Sequence, residues 1–165
     1  RELTNIPAYP AAIYNVNDND ITSAGEVKNF LYLINPSFST KQEFIEAVQA
    51  TNYDLVLMDL YFNETELTAA DVEALKTKAN GGSRLVICYM SIGEAEDYRY
   101  YWSDLDKNLV CRENPDWKGN FAVKYWEADW KSVIYGNEQS YLKKILDAGF
   151  NGVYLDIIEA YETFE

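Results

Sequence analysis

The sequence predicts an α/β protein of the (β/α) barrel type, carrying only the N-terminal half of an eight-unit barrel in about four β/α units. Three observations predict it. Short apolar runs alternate with segments of helical period. The runs are almost continuously apolar, as strands buried on both faces of a parallel sheet are. Acidic residues recur just past the carboxyl ends of those runs, the edge where parallel α/β folds gather their functional groups.

The elements follow in order. Residues 1–26 are polar, with Asn15, Asn17, Asp18, Asn19 and Asp20 clustered, and form an N-terminal lead-in to a barrel region over 27–165. Residues 30–34 are the first apolar run. Thr40 then offers an N-cap with Glu43 three positions later, a capping box, and Phe44, Ile45 and Val48 follow at helical spacing. Residues 54–61 make the second strand. Thr68 caps a helix containing Val72, Leu75 and Lys76, which Gly81 and Gly82 end. Residues 84–90 make the third strand. A long segment precedes a third helix over 128–148, in which Trp130, Val133, Ile134, Tyr141, Ile145 and Leu146 recur and Gly149 stops the pattern. Residues 152–156 are the fourth strand. Strand and helix alternate without hairpin signals, so the strands are expected to be parallel with right-handed crossovers. Four such strands fit a small open sheet, or half of a barrel that takes about 250 residues. The last strand ends shortly before Glu165 with no helix after it, which favours the half barrel.

Composition narrows the chemistry. The 165 residues suffice for one domain with a core, and 48% apolar with 25% charged residues is globular, not disordered. No apolar run approaches the roughly 20 residues of a membrane span. The amino terminus, Arg1, Glu2 and Leu3, lacks the regions of a signal peptide, and a signal removed beforehand fits it equally. The net charge of −13 opposes nucleic-acid binding and favours neutral or cationic ligands. With no histidine, catalytic triads, histidine metal sites and imidazole acid–base chemistry are excluded. Cys88 reads as core and Cys111 as loop; they make no zinc signature, and no metal or cofactor is expected. Catalysis is left to carboxylates, tyrosines, lysines and hydroxyls.

The candidates sit past the strand ends. Asp156 stands out, because it directly follows an apolar run and a buried carboxylate is costly unless paired or used. A loop-capping Asp, or one paired with Arg99, is the plainer alternative. After the third strand, Gly93 allows a sharp turn, with Ser91, Glu94, Glu96, Asp97 and Arg99 around it. Glu96 and Asp97 also fit an internally paired helical start, and Arg99 reads as an orienting ion-pair partner. Asn35 follows the first strand. Asp59 and Tyr61 end the second, where Asp59 fits equally as a cap on loop amides. Glu159 and Tyr161 follow the fourth. The 14 tyrosines and 4 tryptophans, dense from Tyr98 to Trp130, add rings such as Tyr101, Trp102 and Trp126 that can stack on the C–H faces of sugars or pack the long loop onto the barrel. Trp130 reads as core.

Residues 89–102 (YMSIGEAEDYRYYW), 121–126 (FAVKYW), Trp130 and 149–161 (GFNGVYLDIIEAY) resemble, in that order, the motifs of the endo-α-1,4-polygalactosaminidase-like glycoside hydrolases, family 114. The resemblance runs from about Lys28 to the C-terminus. It implies a TIM-type barrel, export to the cell exterior or envelope, and hydrolysis of galactosamine-containing polymers. It puts Asp156 on the family's fourth-strand carboxylate and Glu96 and Asp97 on its acidic pair. The candidate substrate contacts, read from their places at the strand ends and in the aromatic stretch, are Asp59, Tyr61, Tyr89, Asp97, Arg99, Tyr101, Trp102, Trp126, Glu159 and Tyr161. Glu159 stands where the enzymes tend to have Asp. The family's second catalytic carboxylate is expected on a later strand, beyond Glu165. An older synthetase-like label for some relatives finds no nucleotide-binding glycine loop here.

The expected chemistry is glycoside hydrolysis by two carboxylates flanking the bond, Asp156 with a later-strand Glu, or with Glu94 or Glu96. A separation of about 5 Å would give retention and about 6.5–9.5 Å inversion. The expected partner is a polysaccharide or oligosaccharide. The rivals are a non-catalytic carbohydrate-binding barrel and an interaction module that self-associates through the open barrel edge.

Overall fold

The structure, a computed structural model, describes residues 3–7 and 13–165; residues 1, 2 and 8–12 of the expected lead-in lie outside them. In chain order the elements are β1 (Phe30–Tyr32), α1 (Lys41–Gln49), β2 (Leu55–Met58), β3 (Tyr61–Phe62), β4 (Thr65–Glu66), α2 (Ala69–Leu75), β5 (Leu85–Ser91), β6 (Glu94–Glu96), β7 (Val110–Glu113), β8 (Asn120–Val123), α3 (Ala128–Ile134), α4 (Tyr141–Asp147) and β9 (Gly152–Asp156). Two compact units form, Arg1–Tyr89 with Ile145–Tyr154 and Met90–Lys144 with Leu155–Glu165.

The first unit is built on the parallel sheet β1-β2-β5-β9. Phe30 pairs with Leu55 and Leu55 with Leu85, and both pairings are parallel. β9 runs the same way, since Asn151 N–H donates to Val86 O at its start and Asp156 O accepts from Ile92 N–H at its end. Leu31, Val56, Met58, Val86 and Cys88 are buried in these strands, the first four each worth about 1.5–3 kcal/mol when fully removed from water. The helices start where their caps dictate. The Thr40 hydroxyl accepts from Glu43 N–H, but the Glu43 carboxylate takes Ser39 N–H, so the capping box expected between Thr40 and Glu43 closes one residue early. Thr68 and Asp71 form the full reciprocal box. α1 buries Phe44, Ile45 and Val48, and the Phe44 ring stacks on Phe62 at 5.6 Å.

Just before β2, Asp54 is fully buried and held by Lys78 Nζ at 3.1 Å, both oxygens of its carboxylate by Asn17 Nδ2, and Lys28 N–H at 3.0 Å. Burial alone would push its carboxyl to titrate higher, yet these donors outweigh it and hold the carboxyl below its usual range. Asn17 thus ties the polar lead-in into the first unit, as does Ile21, buried and donating its N–H to Ser83 O.

In the second unit, β6, β8 and β7 form an antiparallel sheet in the order β6-β8-β7, with Glu94 opposite Ala122 and Glu96 opposite Asn120.

Four local expectations are corrected. Hairpins do occur: besides β7–β8, β3 and β4 pair through Asn63 and Glu64, both at positive φ (46° and 66°), a two-residue turn without the usual glycine signal. The segment between β5 and α3 is a small sheet, because its alternating residues pair antiparallel. The second helix ends at Leu75, before Gly81, because Lys78 turns inward to Asp54. The helix expected over 128–148 is two, α3 and α4. Gly136 at φ 93° breaks it, and the Asn137 side chain caps the ends, donating to Ser132 O and accepting from Gln139 N–H.

Candidate active site

The site grows from the turn that follows β5. Ser91 is buried and its hydroxyl donates to Glu94 O at 3.2 Å. Gly93 lies against the chain that leaves β9: a β-carbon there would stand 2.4 Å from Ile157 O and 2.5 Å from Ala160 Cβ. With the Ile92 N–H to Asp156 O bond of 3.1 Å, this sets the main chain of Asp156 beside the Gly93 turn. Asp156 is half-buried, so its side chain is not sealed in the core. Ile157, directly after it, has φ 56°, a conformation a β-branched residue adopts at a cost of roughly 1–3 kcal/mol. Strain of this kind next to a strand-end carboxylate marks a main-chain path fixed by its surroundings.

Strand alternation places Glu94 and Glu96 on the same face of β6. Their surroundings differ. Glu96 is held by Arg99, Nε to Oε2 at 2.6 Å and Nη2 to Oε1 at 3.3 Å, with side chains only 2% and 4% exposed, and Tyr98 OH donates to Oε1 at 2.8 Å. Such a bidentate pair is among the strongest contacts a carboxylate makes. The Arg99 guanidinium also lies 5.2 Å from the Tyr98 ring and 5.5 Å from the Tyr141 ring. Glu94, 7% exposed, has neutral donors instead: Asn114 Nδ2 at 2.9 Å and Asn120 Nδ2 at 3.5 Å.

Aromatic residues wall this arrangement. Tyr101 is buried, its hydroxyl accepts from Glu96 N–H at 3.1 Å, and its ring meets Trp130 edge-on at 5.8 Å. Burial, reinforced by the Glu96 charge, pushes the Tyr101 phenol far above its usual range, so it stays neutral. Trp130 is buried and donates to Ile92 O at 2.8 Å, a core position as its pattern predicts. Trp102 stacks on Phe121 at 5.0 Å, and Lys107 Nζ sits 3.7 Å from its ring centroid. Trp126 is 45% exposed and packs on Tyr125 and Phe164.

The other sequence candidates distribute as follows. Asp97 is exposed and its N–H donates to Gly119 O. Glu159 and Tyr161 are exposed after β9, with Tyr161 OH 3.4 Å from Glu162 Oε1. Asp59, Tyr61 and Tyr89 belong to the first unit, where the Asp59 carboxylate accepts from Tyr61 N–H at 2.8 Å and Tyr89 is buried. Asn35 is exposed past β1. Among the described residues, no group of three or more His, Cys, Asp or Glu is arranged to hold a metal, and no helix is long and apolar enough to cross a membrane. Cys88 is buried and Cys111 exposed, with no disulfide between them.

The model of glycoside-hydrolase family GH114 matches residues 18–165. The chain belongs to family GH114. It is 35% identical over 150 residues to an uncharacterized protein of Methanocaldococcus jannaschii, covering 88% of this chain and 42% of that protein. It is 36% identical over 129 residues to one of Deinococcus radiodurans, covering 75% and 39%. The GH114 chain thus spans less than half the length of these relatives. Among solved structures it is similar to Aspergillus fumigatus Ega3 in complex with galactosamine, with TM-score 0.61 and 19% identity over 90% of this chain and 51% of that one. It is also similar to the glycoside hydrolase domain of PelA from Pseudomonas aeruginosa, with TM-score 0.52 and 19% identity over 81% and 45%. The GH114 fold here is a partial TIM-type (β/α) barrel.

Sequence reasoning about this GH114 chain passed over Asn114 and Asn120. The one available signal was the Asn114-Pro115-Asp116 turn, which marks a loop and says nothing of what its side chain meets.

Proposed function

We propose that the chain is the part of a GH114 glycoside hydrolase that supplies Asp156 to an endo-acting cleavage of galactosamine-containing polysaccharide. The observation that carries the reading is the half-buried Asp156, whose main chain is hydrogen-bonded to Ile92 at the turn leading to Glu94. Asp156 acts as nucleophile or base. Its partner acid in this proposal is a Glu on a later strand, and Glu94 binds the same sugar, or itself takes the acid role. Glu96, already neutralised by Arg99, serves to hold the Gly93–Arg99 turn. The exposed Trp126 ring offers a face for the sugar's C–H groups, and Trp102, Glu159 and Tyr161 are taken as further sugar contacts. Net charge of −13 suits a partly deacetylated, cationic polymer, and such a polymer is met at the cell exterior or envelope.

Cleavage of an α-1,4-linked galactosamine oligosaccharide by the full-length protein tests this. Asp156→Asn keeps the side-chain shape and is expected to abolish cleavage without lowering the melting temperature. Undiminished cleavage removes Asp156 from the mechanism. A second reading, self-association through the β9 edge, is favoured by the exposure of Tyr154 and Leu155. Light scattering that finds a monomer at high concentration removes it.

A further inference from the structure

We infer that Asn114 is a positioning residue that fixes the Glu94 carboxylate for an amino-sugar ligand. The inference rests on the reading of Glu94 as a substrate-facing group. Glu94 is nearly buried, and among the described residues no lysine or arginine stands within ion-pair distance of it. A carboxylate in that position needs hydrogen-bond donors to stay in one rotamer. Asn114 supplies the shorter of the two, Nδ2 to Oε1 at 2.9 Å. The other, Asn120 Nδ2 to Oε2 at 3.5 Å, is at the limit of a hydrogen bond.

Asn114 is itself held from three sides. Its N–H donates to Asn120 O at 2.7 Å, and its carbonyl accepts from Trp117 N–H, closing the loop between β7 and β8. Its side-chain oxygen accepts from Asp116 N–H at 3.0 Å. That last bond fixes which way the amide faces: with Oδ1 engaged by a backbone donor, the NH2 group is left to Glu94. The donor is neutral, so no cation among the described residues competes with a cationic ligand for the Glu94 carboxylate. Arg99 does the opposite at Glu96, two residues on along the same face, where the charge is cancelled. One face of one short strand therefore carries a neutralised carboxylate and an oriented, uncompensated one.

The test is a double-mutant cycle on binding of an α-1,4-linked galactosamine oligosaccharide, followed by calorimetry with melting curves alongside. Glu94→Gln and Asn114→Ala are each expected to weaken binding about tenfold. In the Glu94→Gln background, Asn114→Ala is expected to add less than twofold. Asn114→Asp gives a second readout that a loop-stabilising role does not move. Two carboxylates at hydrogen-bond distance share a proton, so the pH dependence of affinity gains an additional titration step. If Glu94→Gln leaves affinity unchanged, the site reading fails and the inference with it. If Glu94→Gln weakens binding while Asn114→Ala does not, or does so equally in both backgrounds, or if Asn114→Asp shows no step, the positioning role alone is overturned.

Discussion

Replacing Gly93 with alanine tests how closely the turn after β5 and the chain after β9 must approach. The added methyl would stand 2.4 Å from Ile157 O, 2.5 Å from Ala160 Cβ and 2.7 Å from Ile157 Cγ2, whereas real β-carbons stay beyond 3.0 Å. The segment must retreat from 2.4 to at least 3.0 Å, about 0.6 Å, and the nearest atom is backbone, which cannot swing aside as a side chain can. Overpacking of this kind costs about 1–3 kcal/mol. For a chain of this size, that lowers the melting temperature by about 2–12 °C. The retreat also drags Asp156, because Ile157 follows it and has no relaxed backbone conformation to move through at φ 56°. A displacement approaching 1 Å at a reacting group costs about 100-fold in rate. Gly25→Ala is the control, since nothing lies within 4 Å of a β-carbon there and the same loss of unfolded-chain freedom applies. The assays are thermal unfolding and cleavage of galactosamine oligosaccharide by the full-length protein. If Gly93→Ala melts with Gly25→Ala and cleaves at the parental rate, the two segments are not in the contact described, and the argument for Asp156 beside Gly93 fails.

Further perturbations separate stability from chemistry. Arg99→Met leaves the Glu96 carboxylate buried without its ion-pair partner and is expected to destabilise by about 3–5 kcal/mol in denaturant unfolding; a loss under about 1 kcal/mol would show the pair to be solvated. Asp54 has a folded-state value below its unfolded one, so its contribution is present above the unfolded value of about 4 and is lost as pH falls through the folded one. Asp54→Asn should therefore flatten the acid limb of a stability-versus-pH curve, and an unchanged limb would assign acid unfolding to other groups.

How much of this was legible in the chain depends on distance along it. The strands were legible because runs such as 85–90 are continuously apolar, and burial on both faces leaves little else for them to be. The helix starts were legible because Thr40 and Thr68 act on N–H groups three residues away. The Glu96–Arg99 pair, also three apart, could be suspected from spacing alone. The Asn63–Glu64 turn was not, because two non-glycine residues at positive φ are tolerated only when the strands on either side impose it.

The sequence by itself determined the alternation of strand and helix, the family, and the recurrence of carboxylates after the apolar runs, since all three rest on composition, period and short-range motif. Only the tertiary structure decided that Glu94 is held by amides while Glu96 is held by a cation. Asn114 lies 20 residues from Glu94, and β6 meets it only once β7 and β8 have paired. Contacts made across a folded sheet are set by register and turn geometry, which no local spacing encodes.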